Sequence, residues 1–112
     1  MATMDAVIAG PDEHDLGAAL SAAGFSVTRA AGTANRPALE EAGIHDADLF
    51  VITDAALATA IPVATDLTAD LRIIAYTSDS LPEFVKGQAH MALDPALFDP
   101  EDVAEEAANG GE

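Results

Sequence analysis

The sequence predicts an α/β domain of three layers, a five-stranded parallel sheet between two layers of helices, and three observations carry that reading. Apolar runs recur at Ala6–Ala9, Phe25–Ala31, Leu49–Thr53, Leu71–Thr77 and Met91–Leu93, with a helix-length segment after each of the first four. That is the rhythm of βαβ units. Leu49-Phe50-Val51-Ile52 and Ile73-Ile74-Ala75 are apolar without alternation, as a parallel strand covered on both faces must be. Finally, 112 residues, 50% of them hydrophobic, suffice for one core and not for two. Right-handed crossovers then order the strands 2-1-3-4-5, the flavodoxin-like or reduced Rossmann-like arrangement.

The helices between these strands are read from their ends. Leu16, Ala19, Leu20 and Ala23 recur at helical spacing and Gly24 supplies a stop. Asn35 caps a short second helix with Pro37 in its first turn, ending at Gly43. Because Pro62 would break a helix begun at Ala55, Asp54–Thr59 reads as a loop and Ala60–Leu67 as the third helix. Ser80-Leu81-Pro82-Glu83 has the form of a capping box with Gly87 closing the helix, and Asp99-Pro100-Glu101-Asp102 starts the last one. The domain is expected to run from residue 1 to 108, with a frayed tail at 109–112.

With four Phe, one Tyr and no Trp, the core must be built from Ala, Val, Leu and Ile. Twelve Asp and eight Glu face three Arg and one Lys, Lys86, for a net charge of −16. The acids are spread through apolar segments rather than gathered in a block, so a folded chain is expected, not an acidic disordered tail. Self-repulsion of this size is relieved by concentrated salt, which points to a halophilic protein in a salty cytoplasm. Nucleic acid and anionic membrane are excluded as partners, because binding them needs clustered Lys and Arg and the four bases are scattered singly. No stretch is long and apolar enough to span a membrane or to serve as a signal peptide. The absence of Cys excludes disulfides, thiolate metal sites and Cys nucleophiles together.

In open parallel sheets ligands sit beyond the carboxyl ends of the strands, beside the switch point between strands one and three. The polar segments fall there: Pro11-Asp12-Glu13-His14-Asp15, Thr33-Ala34-Asn35-Arg36, Thr53-Asp54 to Thr59, Thr77-Ser78-Asp79 and Asp94. Gly10, Asp12, His14, Gly17, Thr33, Asn35, Arg36, Thr53, Asp54, Thr77 and Ser78 are therefore the candidate ligand-binding residues. Asp12, Glu13 and Asp54 are candidate ligands for a divalent cation such as Mg²⁺. Arg36, at a helix start in a chain poor in bases, is a candidate anion contact, with a salt bridge to a nearby acid as the alternative. His14, His45 and His90 lack metal-ligand spacing, and only His14 lies in the ligand-facing turn. No Ser sits in a nucleophile elbow.

The segment Leu-Glu-Glu-Ala-Gly-Ile-His-Asp-Ala-Asp-Leu-Phe-Val-Ile-Thr-Asp from Leu39, with Ala-Asp-Leu-Arg-Ile-Ile-Ala after it, is similar to the TrkA-N (RCK) domain of potassium-transport regulators. Gly32-Thr33-Ala34 resembles that family's Gly-Asp-Ala-Thr turn. The resemblance covers most of residues 32–95 and implies a dinucleotide-binding fold with NAD as cofactor. The sequence departs from it at the fingerprint, where GxGxxG is replaced by Gly10-Pro11-Asp12-Glu13-His14-Asp15-Leu16-Gly17, whose carboxylates would repel a pyrophosphate. No acid follows strand two to hold a ribose.

The layout also resembles a response-regulator receiver domain, which implies Asp12 and Glu13 as the acids after strand one, Asp54 as phosphoacceptor and Thr77 as the strand-four hydroxyl. That family's strand-five Lys-Pro pair is written here Leu93-Asp94-Pro95. The chain is also similar to small haloarchaeal proteins that carry the name CTP synthetase. That activity needs a P-loop and a glutaminase Cys, and neither is present. The sequence thus supports a non-catalytic small-ligand-binding or regulatory Rossmann-like module, with a small molecule or a protein as its partner. The alternatives are a receiver-like signalling domain using Asp54, or a structural protein that forms a homodimer through an Ala-rich helix face.

Overall fold

The structure, a computed structural model, describes residues 4–87, 89 and 91–109. Five parallel strands, β1 (Met4–Ala9), β2 (Phe25–Ala30), β3 (Leu49–Ile52), β4 (Arg72–Tyr76) and β5 (Met91–Leu93), form one sheet in the order β2-β1-β3-β4-β5, as the sequence predicts. The central β3 is buried at all four positions, which is why it shows no alternation.

Helices α1 (Leu16–Ala22) and α5 (Pro100–Asn109) cover one face, and α2 (Arg36–Glu41), α3 (Ala60–Leu67) and α4 (Glu83–Lys86) the other. Side-chain alternation splits the core between them. Ala6 and Ile8 of β1 pack with Leu16, Leu20, Val51, Ile74 and Val103, whereas Val7 and Ala9 pack with Leu39, Phe50, Ile52, Ile61 and Ile73. Among the described residues no polar or charged residue is buried, and no buried polar side-chain atom lacks a partner. Each fully buried Leu or Ile contributes about 1.5–3 kcal/mol, so an almost wholly aliphatic core suffices.

The helix signals resolve in physical terms. The Asn35 side chain accepts the Ala38 N–H at 3.1 Å, the expected cap of α2, with Pro37 in the first turn. Pro62 is the third residue of α3, where its missing N–H costs no helical bond. The expected loop at residues 54–59 contains one 3-10 turn, Ala55–Leu57, capped by Asp54. The Ser80 capping box does not form: α4 begins at Glu83 with Pro82 in extended conformation at its N-cap position and no side-chain cap bond. Leu81 is drawn into the core beside Val85, which keeps residues 80–82 out of the helix. Asn109, expected in a frayed tail, is the last residue of α5; residues 110–112 and His90 lie outside the described residues. Arg72 donates to the carbonyls of Glu106 and Ala107, satisfying acceptors at the end of α5. Among the described residues no helix is long and apolar enough to cross a membrane.

Candidate functional site

At the carboxyl ends of β1 and β3 the chain turns through Gly10, whose φ is +106°. A Cβ there would lie 2.5 Å from Thr53 Oγ1 and 3.2 Å from Leu57 Cδ1, so only glycine lets the two strand ends meet. The Thr53 hydroxyl closes this junction, lying 3.3 Å from the Ala9 carbonyl and 2.5 Å from that of Pro11.

The next residues form a clamp. Asp12 Oδ1 accepts the Leu16 N–H at 2.7 Å, and Oδ2 accepts the Gly17 N–H at 2.9 Å and Arg29 Nη2 at 2.8 Å. A Cβ on Gly17 would sit 2.9 Å from Arg29 Nη2 and 3.0 Å from Asp12 Oδ2, so glycine leaves the room this pairing needs. The Asp12 side chain is 9% exposed and that of Arg29 54%. Burial pushes the Asp12 carboxyl up. The hydrogen bond from Arg29, those from Gly17 and Leu16, and the Arg29 charge outweigh it and hold the pKa below the ordinary carboxylate value. The chain's own carboxylate thus occupies the start of α1, where a dinucleotide-binding turn would present amides to a pyrophosphate.

Beyond the clamp opens a cleft of about 240 Å³ lined by Pro11, Asp12, Glu13, His14, Thr53 and Asp54 on one side and Tyr76, Thr77, Ser78, Asp79 and Pro95 on the other. Its volume lies just under the roughly 300–1,000 Å³ of pockets for larger ligands, so it suits a small polar molecule or one partner side chain. The His14 ring meets Tyr76 edge-on, with centroids 5.9 Å apart and planes at 73°. The Tyr76 hydroxyl donates to the Phe98 carbonyl at 2.6 Å. Burial, then the charges of Asp99, Glu101, Asp102 and Asp12, push its pKa up, so it stays a neutral donor. Asp54 Oδ1 accepts the Ala56 N–H at 2.9 Å, and Thr77 Oγ1 accepts the Asp79 N–H at 3.2 Å.

Of the residues singled out from sequence, Asp12, Glu13, His14, Thr53, Asp54, Thr77 and Ser78 converge on this cleft, with Gly10 and Gly17 shaping its floor and clamp. Thr33, Asn35 and Arg36 do not line it: Asn35 caps α2, and Arg36 pairs with Asp66 at 2.8 Å on the exposed surface. Arg36 is therefore in the salt bridge that was the alternative to an anion contact. Asp12, Glu13 and Asp54 share the cleft without forming a ligand set, since among the described residues no group of three or more His, Asp or Glu is placed to hold a metal ion. Asp12 has both oxygens committed elsewhere.

Sequence reasoning missed Arg29 and Tyr76. Arg29 is opposite Ile8 in the β1–β2 register, a pairing that spacing along the chain does not disclose. Tyr76 did carry a signal: a lone hydroxyl ending an aliphatic strand must find an acceptor.

The arrangement defines a small doubly wound α/β domain with a polar, acid-lined cleft at the carboxyl end of its sheet. The chain belongs to a family of unknown function, DUF7126, whose model matches residues 6–107. No curated protein matches its sequence. Among solved structures it is similar to a candidate pilus assembly-related protein from Burkholderia pseudomallei, at 21% identity and a TM-score of 0.65 over 96% of this chain and 90% of that one. It is likewise similar to a candidate pilus assembly protein from Burkholderia thailandensis, at 20% identity and a TM-score of 0.66 over 96% and 99%. At these identities the likeness is one of fold.

Proposed function

We propose that the chain is a non-catalytic regulatory module of receiver-like architecture whose cleft recognises a small polar guest, neutral or cationic. The Asp12 clamp carries the proposal. Phosphoryl transfer to a strand-three aspartate needs carboxylates free to hold a divalent cation and a base to hold the charged product. Here Asp12 is bound to Leu16, Gly17 and Arg29, Asp54 caps a 3-10 turn, and Asp94 occupies the place where the receiver resemblance would put Lys. Glu13, Asp54 and Asp79 bring negative charge to the cleft, which disfavours nucleotides and other anions. The two structural neighbours share this architecture, and their pilus-assembly names agree with a role in assembly.

The test is made in molar KCl. Wild type incubated with Mg²⁺ and acetyl phosphate should keep its intact mass, and a thermal-shift panel should show stabilisation by a neutral or cationic metabolite but not by nucleotides. A phosphoryl adduct on wild type that is lost in Asp54→Asn would overturn the non-catalytic reading. Stabilisation by nucleotides alone, or by no member of the panel, would overturn the guest.

A further inference from the structure

Two large apolar side chains stand in solvent among the described residues, Leu97 at 77% exposure and Phe98 at 40%. The segment that carries them is held. The Leu97 and Phe98 N–H groups donate to the Asp94 carbonyl at 2.9 and 3.0 Å, the Ala96 N–H donates to Asp94 Oδ1 at 2.9 Å, and the buried Tyr76 hydroxyl fixes the Phe98 carbonyl. A turn capped by Asp94 and pinned from the core thus presents both side chains outward.

Beside it lies a groove of about 300 Å³ whose apolar lining is Leu81, Ala89, Ala92 and Leu93, and Asp94 belongs to groove and turn alike. The groove runs along β5, at one edge of the sheet, and among the described residues no further strand covers its outer side. Among the side chains the structure describes, the charges around this apolar strip are acidic. Asp79 and Asp94 line the groove, Asp99 follows the turn, and Glu101 and Asp102 are near enough to disfavour ionisation of Tyr76. The described arginines are engaged elsewhere: Arg29 by Asp12, Arg36 by Asp66 and Arg72 by the end of α5.

We propose that the Leu97–Phe98 turn and the adjoining groove dock a basic, apolar-anchored segment of another protein. Charge complementarity selects that occupant over a second copy, which would set the same acidic face against Asp79 and Asp94. Apolar anchors of the partner cover Leu97 and Phe98 and enter the groove, while its Lys or Arg side chains meet Asp79, Asp94 and Asp99. In molar salt the charge contribution shrinks and the apolar one persists, so affinity should fall only shallowly as KCl rises.

The probe is a synthetic amphipathic peptide of Lys and Leu, compared by fluorescence anisotropy with a Lys/Ser peptide and a Glu/Leu peptide, with amide shifts mapped by NMR on the wild-type chain. The Lys/Leu peptide alone should bind, shifting residues 79–81 and 91–99, and the double variant Leu97→Ser/Phe98→Ser should weaken it about tenfold or more. Both side chains are exposed, so the variant should melt like wild type; if it does not, the wild-type shift map decides. Equal binding of the Lys/Ser peptide, or shifts elsewhere on the surface, would overturn the proposal. So would a wild-type dimer in sedimentation that the double variant abolishes, since the face would then belong to a second copy. Failure of the cleft to bind any small molecule leaves this result untouched.

Discussion

At Asp12 two carboxylate oxygens serve three donors, two backbone amides at the start of α1 and one guanidinium from β2. Asp12→Asn removes the charge from all three bonds and replaces one acceptor by a donor facing the Leu16 amide, or the Gly17 amide and Arg29. Hydrogen bonds to charged groups contribute about 1.5–3 kcal/mol, so a loss of about 2 kcal/mol is expected, read as a lower denaturation midpoint at unchanged m-value. The pH dependence fixes its origin. The native pKa of Asp12 is depressed, so its stabilisation is fully present above the ordinary carboxylate value and is lost as pH falls through the lower native one. The gap between wild type and Asp12→Asn should therefore be constant near neutrality and narrow on acidification below about pH 4. A gap independent of pH would mean that the carboxylate charge is not what holds the turn. This residue was legible only in part. Asp12 and Gly17 stand in the ligand-facing turn of the sequence, but Arg29, 17 residues away, is brought to them by strand register. A carboxylate whose partner is unknown looks like any other of the twenty acids.

Among the elements, the turn between β5 and α5 depends on one bond from the core. Tyr76→Phe keeps the buried ring and its edge-on contact with His14 but removes the hydroxyl that holds the Phe98 carbonyl. A net cost of about 1 kcal/mol is expected. The sharper readout is hydrogen exchange: the Leu97 and Phe98 amides, bonded to the Asp94 carbonyl, should lose protection while amides of β3 do not. Equal loss in both places would show that the phenol supports the whole core rather than this turn. The elements themselves were largely legible, because each rests on a local cause. Strands β1, β3 and β4 end where apolar runs give way to Gly10, Thr53 and Thr77, Asn35 caps α2, and Pro62 permits a helix only from residue 60 onward. Ser80 failed as a cap because its competitor is tertiary: burial of Leu81 is worth more than one capping bond, and no local pattern reports it.

For the whole molecule, the decisive comparison is between its size and the reach of its charges. A net −16 is carried on a body of 31 × 29 × 26 Å with a radius of gyration of 12.4 Å. At 0.01 M ionic strength the Debye length is about 30 Å, so every carboxylate repels every other across the full width of the fold. At 0.1 M it is about 10 Å and at 1 M about 3 Å, where only adjacent charges still interact. Unfolding separates the charges, so weak screening favours the unfolded chain, and the small aliphatic core has little surplus against it. Stability should thus climb steeply as KCl rises toward 1 M, measured as the urea midpoint, and more gently above it. KCl and K₂SO₄ at matched ionic strength should give coincident curves in the steep region, where screening acts, and diverge only in the shallow one, where salt exclusion from the surface takes over. An unchanged midpoint in salt-free buffer would contradict the halophilic reading of the composition. Divergence of the two salts from the first addition would place the effect in specific ion hydration rather than in screening.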